Sequence, residues 1–156
     1  MKNKVLVGIV IILTLISCGG KMQKEQKILS YKKITTLNSE GTIFLEVSLD
    51  EALERARKEN KPVFINCSTT TCAPCRMMIK RVFTNGKIGE YINSNFIAVH
   101  MNMDEGYGIE VAEKYNIGIY PTYLILNADG SKRGEVIGAD KDIPQFLEKI
   151  KQAADI

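Results

Sequence analysis

Residues 63–75 read VFINCSTTTCAPC, and this stretch decides which fold the chain adopts. It starts with an apolar run, Val63 to Ile65, whose β-branched and aromatic residues are typical of a short buried strand. A polar loop follows and leads into Cys72-Ala73-Pro74-Cys75. Beyond it, apolar residues recur at helical spacing and share one face of a predicted helix: Cys75, Met78, Ile79, Val82 and Phe83. The stretch therefore predicts a strand, a loop and a helix that begins at the cysteine pair.

The spacing of Cys72 and Cys75 allows them to form a small disulfide ring at the start of that helix. The unpaired N–H groups and partial positive charge of a helix N-terminus stabilise a thiolate, so we expect a lowered pKa for Cys72. Cys75, one helical turn later, is expected to be shielded and to react second. Pro74 suits the first turn, where a backbone N–H has no helical partner. These features predict a nucleophilic cysteine followed by a resolving cysteine.

Two other uses of a Cys-x-x-Cys pair depend on further ligands. A zinc site needs two more, and the remaining candidates are Cys18, Cys67 and His100, of which Cys18 belongs to an N-terminal signal. A c-type haem site needs a histidine after the second cysteine, where this chain has Arg76. We therefore predict a redox pair, with no metal and no cofactor.

Outward from this stretch, the chain alternates between strand and helix patterns. Ser48 and Glu51 have the spacing of a capping box, and the helix that they open ends at Asn60-Lys61-Pro62. Asn127-Ala128-Asp129-Gly130 is a predicted hairpin turn. The predicted strands are 42–47, 63–65, 96–103, 123–126 and 132–137. The helical patterns are 49–56, 75–83, 109–115 and 143–150, with a further short one at 88–93. The predicted order is β-α-β-α-β-α-β-β-α, without an internal repeat.

The order of these motifs resembles the thioredoxin superfamily over residues 47–153. The resemblance rests on a strand, a loop, the cysteine pair on a helix, Tyr120-Pro121-Thr122 at the head of a strand, a glycine-turn hairpin and a last helix. The run from Cys75 to Phe83 is especially similar to periplasmic thioredoxin-like proteins and to the C-terminal domain of the membrane thiol-reductant transporter. The resemblance implies an α/β thioredoxin fold, with a central mixed β-sheet flanked by helices.

The resemblance also implies roles for single residues. Pro121 would be cis and would pack beside the cysteine pair, while the backbone before it pairs with a substrate strand; a generic loop proline is the alternative. Cys72, Cys75 and Pro121 would then be catalytic, and the redox disulfide would be Cys72-Cys75. The substrate-binding positions would be Thr71, Ala73, Pro74 and Tyr120.

Three positions depart from the superfamily pattern. Thr71 stands where the family usually has tryptophan, which removes a large apolar contact from the substrate-binding rim. Asn66 stands where a buried acid often accepts the proton of the second cysteine, and His100 stands where a lysine often lies opposite it. We hypothesise that neutral His100, directly or through water, accepts the proton of Cys75. The alternative is a histidine that only makes hydrogen bonds beneath the sheet.

Cys67 and the methionines each have two interpretations. Cys67 ends a strand and is predicted to be a buried, inert thiol, with a third redox cysteine as the alternative. Met101 and Met103, with Met77, Met78 and the cysteine pair, suggest soft ligands for Cu(I) as one interpretation. Core packing is favoured for them, because His100 and Met101 face opposite ways on a strand. The segment Asp104-Glu105-Gly106 is interpreted as a solvated loop.

The first 40 residues are predicted to be a targeting signal and a tether. A basic start precedes the twelve-residue run Val5–Ile16, which would rise roughly 18 Å as a helix, short of the ~30 Å of a bilayer core. The sequence up to Cys18 resembles a bacterial lipoprotein signal, in which Cys18 is lipidated; a plain signal peptide or an uncleaved anchor is the alternative. We predict a signal peptide over 1–17, a lipid-anchored flexible tether over 18–40 and a thioredoxin-like domain over 41–156.

Charge and targeting narrow the classes of partner. The formal net charge is +3, and 19 − 18 = +1 without the signal peptide, which argues against nucleic-acid binding because that needs a clustered basic excess. The lipid would hold the domain on the periplasmic side of a bacterial membrane. Gly19 after the cysteine resembles an outer-membrane sorting signal of Gram-negative bacteria.

The sequence thus predicts an extracytoplasmic thiol-disulfide oxidoreductase. Ala73-Pro74 resembles the Gly-Pro of reducing thioredoxins, so we predict that it reduces disulfides of exported proteins. Because the compartment is oxidising, a membrane thiol-reductant transporter is expected to supply electrons. The alternatives are a disulfide oxidase or isomerase, a copper-binding lipoprotein on this scaffold, and a binding module with a structural disulfide.

Overall fold

The computed structural model describes residues 33–35 and 41–155. The strands are β1 Lys33–Thr35, β2 Ile43–Leu45, β3 Val63–Ser68, β4 Ile97–Asn102, β5 Thr122–Leu126 and β6 Lys132–Ile137. The helices are α1 Leu49–Glu59, α2 Ala73–Arg81, α3 Gly86–Asn95, α4 Tyr107–Tyr115 and α5 Ile143–Ala154. Within these ranges, no helix has the length and apolar character needed to cross a membrane. The predicted signal peptide, Cys18 and all of the predicted tether except 33–35 lie outside the described residues.

The strands form one mixed sheet in the order β1-β2-β4-β3-β5-β6. The central strands β2, β4 and β3 run parallel, whereas β1, β5 and β6 are antiparallel to their neighbours. Parallel neighbours need crossover connections; α1 connects β2 to β3, and α2 with α3 connects β3 to β4. Helices therefore flank a central mixed sheet, and the predicted fold class is confirmed.

Three elements show the main differences from the predicted order and bounds, and the ends of the others agree with the prediction to within four residues. β1 lies inside the range predicted as tether and pairs with β2, so that Lys33 is opposite Leu45. A run of three residues is too short to show the alternating pattern of a strand. The short helical pattern at 88–93 belongs to a separate ten-residue helix, α3. β3 runs three residues further than predicted, through Ser68, because the polar end of the strand is buried as well.

The first helix begins and ends where its sequence predicts. The Ser48 Oγ accepts a hydrogen bond from the Glu51 N–H at 3.3 Å, and the Glu51 carboxylate accepts one from the Ser48 N–H at 3.1 Å. This confirms the predicted capping box. Asn60 ends the helix in the left-handed conformation, with φ of 50°. The buried face of the helix consists of Ala52, Leu53 and Ala56.

Two apolar clusters lie on opposite faces of the sheet. The first packs under α2, α3 and α5 and is rich in aromatic rings, including Phe44, Phe64, Phe83, Tyr123 and Phe146. The second packs under α1 and α4 and is largely aliphatic, including Val63, Ile65, Cys67, Val99 and Leu124. Successive residues of β3 thus enter alternate clusters, and all six residues of the strand are buried.

Gly108 brings the start of α4 against the end of β4. A Cβ atom at this position would overlap the carbonyl oxygen of Asn102, so a larger residue would push the helix away. The loop between the two elements consequently lies against the chain that leads to Cys72. The Met103 N–H donates to the Ser68 carbonyl oxygen at 2.7 Å. This packing sets the position of the loop at the candidate site.

Candidate active site

Cys72 and Cys75 form a disulfide at the start of α2, with their Cα atoms 5.3 Å apart. Cys72 is the N-cap residue, and its Sγ accepts a hydrogen bond from the Cys75 N–H at 3.1 Å. Cys72 is 9% exposed and Cys75 is 3% exposed. An incoming sulfur therefore reaches Cys72 first. In the reduced protein, the same N–H and the helix N-terminus are placed to stabilise a thiolate on Cys72.

The polar loop before Cys72 is held through Thr70. The Thr70 N–H donates to the Asp104 carboxylate at 2.9 Å, and the Asn102 amide donates to the Thr70 hydroxyl at 3.1 Å. The Arg76 guanidinium donates to the Thr70 carbonyl oxygen at 3.2 Å. Asp104 lies in an exposed loop, as interpreted from the sequence, but it also binds the active-site loop. No sequence pattern indicated this set, because its members lie far apart along the chain.

Pro121 lies at the head of β5, at the end of the sheet where β3 leads toward the cysteine helix. The Tyr120–Pro121 peptide bond is cis, and Pro121 is buried. The next residue, Thr122, pairs with Cys67 near the end of β3. The Pro121 carbonyl oxygen accepts a hydrogen bond from the Gly138 N–H at 2.8 Å. The antiparallel pairing of β3 with β5 therefore brings the proline and the cysteine loop to one end of the sheet.

The predicted substrate-binding residues lie at the surface of this end. Exposed side chains next to Cys72 are Thr71, Ala73 and Pro74. Tyr120 is half-buried, and its hydroxyl donates to the Ile117 carbonyl oxygen at 3.2 Å. Sequence reasoning missed two exposed apolar side chains near Pro121, Ile119 at 60% and Ile137 at 55% exposure. In the sequence, only the position of Ile119 two residues before Pro121 could have indicated them. Ile137 comes close to Pro121 through its pairing with Thr122 in the sheet.

Asn66 and His100 are neighbours across β3 and β4. The Asn66 Nδ2 lies 3.2 Å from His100 Nδ1, and the Ser68 hydroxyl lies 3.5 Å from His100 Nε2. An amide nitrogen can only donate, so Nδ1 accepts and the proton of the neutral ring is on Nε2. Burial lowers the pKa of His100, and the Glu46 carboxylate partly opposes this effect. His100 is therefore neutral near pH 7.

His100 makes the hydrogen bonds that we expect if it is not a proton acceptor and the ring is only held in place beneath the sheet. Its two bonded neighbours are Asn66 and Ser68. To accept the proton of Cys75 at Nδ1, the ring would have to give up the Asn66 bond. The role of His100 in proton transfer stays a prediction.

A groove of about 580 Å³ opens beside the active-site loop. His100 lies in its wall and is reached from solvent through it. The other walls are formed by the loop residues Thr69 and Thr70 and by the carboxylates Glu46, Glu51 and Glu105. Neither cysteine of the pair is part of the lining. The groove therefore adjoins the redox site through the loop and does not contain it.

The third cysteine of the described domain has a different environment. Cys67 is fully buried, and burial raises the pKa of its thiol to about 12. It belongs to the aliphatic cluster on the face opposite α2. A thiol that stays protonated and buried is neither a nucleophile nor a ready metal ligand. The structure thus favours the predicted inert thiol.

The methionines proposed as copper ligands do not converge. Met101 and Met103 belong to the aliphatic cluster, whereas Met78 belongs to the aromatic cluster on the other face. Among the described residues, no group of three or more His, Cys, Asp or Glu side chains is arranged to hold a metal ion. The methionines pack in the core, which is the interpretation that the sequence favoured.

The family model described as Thioredoxin-like matches residues 44–128, which is more than half of the chain. The chain belongs to the thioredoxin-like family. A solution structure of "a putative disulphide-isomerase from Bacteroides thetaiotaomicron" is 37% identical to it, with a TM-score of 0.68 over 76% of this chain and 97% of that one. The family assignment confirms the resemblance on which the fold prediction rested.

Two curated relatives are similar over parts of their length. Spermatogenesis-associated protein 20 of Rattus norvegicus is 42% identical over 80 residues, 51% of this chain and 9% of that protein. The chain thus spans less than a tenth of the length of this relative. The thiol:disulfide interchange protein DsbD of Pseudomonas fluorescens is 24% identical over 124 residues, 78% of this chain and 21% of that protein.

The family and the geometry together define the chemistry of the site. Thioredoxin-like architecture places Cys72 at a helix N-terminus, and Cys75 lies within disulfide-bonding distance. This is a thiol-disulfide oxidoreductase site, able to pass between dithiol and disulfide forms. Two electrons and two protons separate the two forms.

Proposed function

We propose that the protein is an extracytoplasmic protein-disulfide reductase that acts on exported proteins. The observation that carries this proposal is the environment of Cys72: it is the more exposed cysteine of the pair, and its Sγ accepts the Cys75 N–H at the start of α2. Exposed apolar side chains at Ile119 and Ile137, near the cis-proline segment, offer a surface for a substrate chain. Reduction of a protein disulfide requires an attacking thiolate, which the position of Cys72 favours.

The proposed reaction has two exchange steps. The Cys72 thiolate attacks one sulfur of a substrate disulfide, that S–S bond breaks, and the departing substrate sulfur takes up a proton. Cys75 then loses its proton and attacks the Sγ of Cys72; the mixed S–S bond breaks, and the released second substrate sulfur takes up a proton. The substrate gains two electrons and two protons, and the protein is left with the Cys72–Cys75 disulfide. His100 is the proposed acceptor for the Cys75 proton, after release of its bond with Asn66.

The direction of the reaction rests on the residues between the cysteines. Ala73 and Pro74 resemble the dipeptide of reducing thioredoxins and contribute no charged or protonatable group. A histidine in this position would stabilise the reduced thiolate and make the pair more oxidising. A reductase outside the cytoplasm must be recharged, because its surroundings are oxidising. Similarity to the thiol:disulfide interchange protein supports a membrane thiol-reductant transporter as electron donor.

The proposed location rests on the N-terminal sequence. Residues 1–17 are proposed to be a lipoprotein signal peptide, and Cys18 is proposed to carry the lipid. Residues 18–32 would then link the lipid to the domain, whose sheet begins with β1. In a Gram-negative host, the proposed site is the periplasmic face of the outer membrane, since Gly19 follows the lipidated cysteine.

Disulfide isomerisation is the second candidate function. It is favoured by the similarity to the Bacteroides thetaiotaomicron structure, whose name includes "disulphide-isomerase". An isomerase also uses an attacking Cys72, but it must leave the substrate before Cys75 resolves the mixed disulfide. The balance between these routes depends on the stability of the Cys72–Cys75 disulfide.

The reductase proposal is tested by trapping the mixed disulfide. Cys75→Ser removes the resolving thiol, so substrates attacked by Cys72 stay covalently attached. We expect this variant, expressed in a host with an oxidising periplasm, to accumulate complexes with disulfide-containing exported proteins that dissociate under reductant. The matched control is Cys72→Ser with Cys75 intact. Equal trapping by both variants, or none by Cys75→Ser, would contradict the proposal.

A further inference from the structure

The loop before Cys72 contains a residue whose polar groups are all bonded, although its side chain is exposed. The N–H, the hydroxyl and the carbonyl oxygen of Thr70 bind Asp104, Asn102 and Arg76 respectively. An exposed threonine normally leaves such groups to water. Three bonds from three separate elements instead fix this residue in one position, two residues before the reacting sulfur.

The partners of Thr70 are themselves held in place. The Asn102 Oδ1 accepts from the Asp104 N–H at 3.1 Å, and the Asn102 Nδ2 also donates to the Glu105 carboxylate at 2.9 Å. Asn102 is the last residue of β4, where Gly108 allows α4 to pack against its carbonyl. The loop is thus tied to the end of β4 and to the turn that follows it.

Arg76 connects the same residue to the cysteine helix. It lies one helical turn after Cys72 on α2, and its guanidinium reaches back to the Thr70 carbonyl oxygen. The cation is therefore kept on the active-site side of the helix. A positive charge held there favours the thiolate form of Cys72, while the Asp104 and Glu105 carboxylates in the adjoining loop oppose it.

We propose that Thr70 is a positioning residue for the reaction: its bonds to Asp104, Asn102 and Arg76 hold the active-site loop and the Arg76 cation in the arrangement that favours the Cys72 thiolate. This inference rests on the proposed function, since it needs Cys72 to be the attacking thiol.

The test is the rate at which iodoacetamide alkylates Cys72 in the reduced full-length protein at neutral pH. Thr70→Val keeps the backbone groups and the β-branched shape but loses the bond from Asn102. We expect alkylation to slow by about three- to fivefold, the effect of losing one exposed polar interaction. Thr70→Ser should restore the rate. Thr84→Val is the matched control, since it also loses one hydroxyl bond, to the Lys80 carbonyl oxygen beyond the active site.

A double-mutant cycle separates positioning from a general loss of stability. Loss of the Asn102 bond should let the loop shift and so displace the Thr70 carbonyl oxygen that binds Arg76. If Thr70 acts in this way, then Thr70→Val combined with Arg76→Gln should be no slower than Arg76→Gln alone. Denaturant unfolding of the same proteins reports any purely structural effect. If Thr70→Val fails to fold, Asn102→Ala replaces it, because this variant removes the same bond from the other side.

The possible outcomes distinguish a failure of the proposed role of Thr70 from a failure of the proposed function. A wild-type rate in Thr70→Val, or effects of the two substitutions that simply add, overturns the positioning role and leaves the proposed function intact. Alkylation of Cys75 before Cys72 in the wild-type protein overturns the proposed function and this inference with it. Slow alkylation in Thr70→Val, rescue by serine and non-additivity with Arg76→Gln support both.

Discussion

Cys67 and Cys72 lie five residues apart and have opposite chemical environments. Cys67 lies in β3, between two neighbouring strands and against the aliphatic cluster, where burial raises its pKa to about 12. Cys72 caps α2, where its sulfur accepts a backbone N–H and an exposed loop surrounds it. The strand keeps one thiol protonated and inaccessible, whereas the helix N-terminus favours the thiolate of the other.

This difference shows that the reactivity of a cysteine is set by the element that carries it. The two thiols share one residue type and one stretch of chain. Only the change from strand to helix N-terminus, across a four-residue loop, separates them. The difference in reactivity between the two cysteines therefore depends on that loop and on the strand and helix that it joins.

The largest expected effect is on turnover. Cys72→Ser should reduce the rate of disulfide reduction to the background rate, because no other described cysteine can replace the attacking thiolate. Cys67→Ala should retain the wild-type rate within about twofold once folded protein is matched, since Cys67 has no role in the proposed reaction. Reduction of a disulfide-containing protein with dithiothreitol as donor measures both. Loss of activity in Cys67→Ala would contradict the assignment of Cys67 as an inert thiol and would support a third redox cysteine.

The second prediction concerns thiol accessibility. In the reduced native protein at pH 8, iodoacetamide should modify Cys72 at least about a hundredfold faster than Cys67, because a thiol with a pKa near 12 has almost no thiolate at that pH. Mass spectrometry of timed digests gives both rates in one sample. In strong denaturant the two rates should converge, and a rate difference that persisted there would show that the fold is not its cause.

The third prediction extends the comparison to His100, a half-buried base. Burial lowers the pKa of His100 below its usual 6.5, so the unfolded chain takes up a proton before the folded protein does. Stability should therefore fall as pH decreases below about 6.5, with a slope of at most about 1.4 kcal/mol per pH unit for one proton. His100→Gln should flatten this slope between pH 6.5 and the carboxylate range near about 4.3.

Urea unfolding at several pH values measures that slope in both proteins. The same variant tests the catalytic hypothesis, because turnover of His100→Gln should change its pH profile if His100 accepts the Cys75 proton. An unchanged turnover profile with a flattened stability slope would leave His100 a purely structural residue.

The smallest expected effect compares the buried Tyr123 with the half-buried Tyr115. The Tyr123 hydroxyl is buried and finds no hydrogen-bond partner among the described residues, whereas the Tyr115 hydroxyl donates to the Gly130 carbonyl oxygen at 2.7 Å. Tyr123→Phe should leave stability unchanged or raise it by up to about 1 kcal/mol, and Tyr115→Phe should lower it by about 1 kcal/mol. Thermal unfolding of the pair is the measurement. Equal destabilisation would indicate that Tyr123 has a partner in solution.

Local patterns predicted most of the fold. The capping box of Ser48 and Glu51, the hairpin turn before β6 and the strand of β3 each depend on neighbours within a few residues. β1 could not be predicted, because three residues are too few to show the alternating pattern of a strand. Its pairing with β2 forms only when the rest of the sheet has folded. The prediction of Asn66 opposite His100 rested on the family pattern and agrees with the strand register.

The candidate site was predictable only where it is local. The spacing of Cys72 and Cys75 predicted the redox pair, and the motif around Pro121, which resembles that of the family, indicated this proline. The bonds of Thr70 to Asn102 and Asp104 join residues 32 and 34 positions apart, so they exist only once β4 lies beside β3. The exposure of Ile119 and Ile137 likewise depends on how the chain folds around Pro121.

The reduction potential of the Cys72–Cys75 pair decides whether the protein acts as a reductant or as an oxidant. The full-length protein would be equilibrated against thiol redox buffers, and the dithiol fraction would be quantified by alkylation. We expect a value of about −270 mV, at the thioredoxin end of the scale, which is the potential of a reductant that must be recharged. A value of about −120 mV would contradict the reductase proposal and would identify an oxidant.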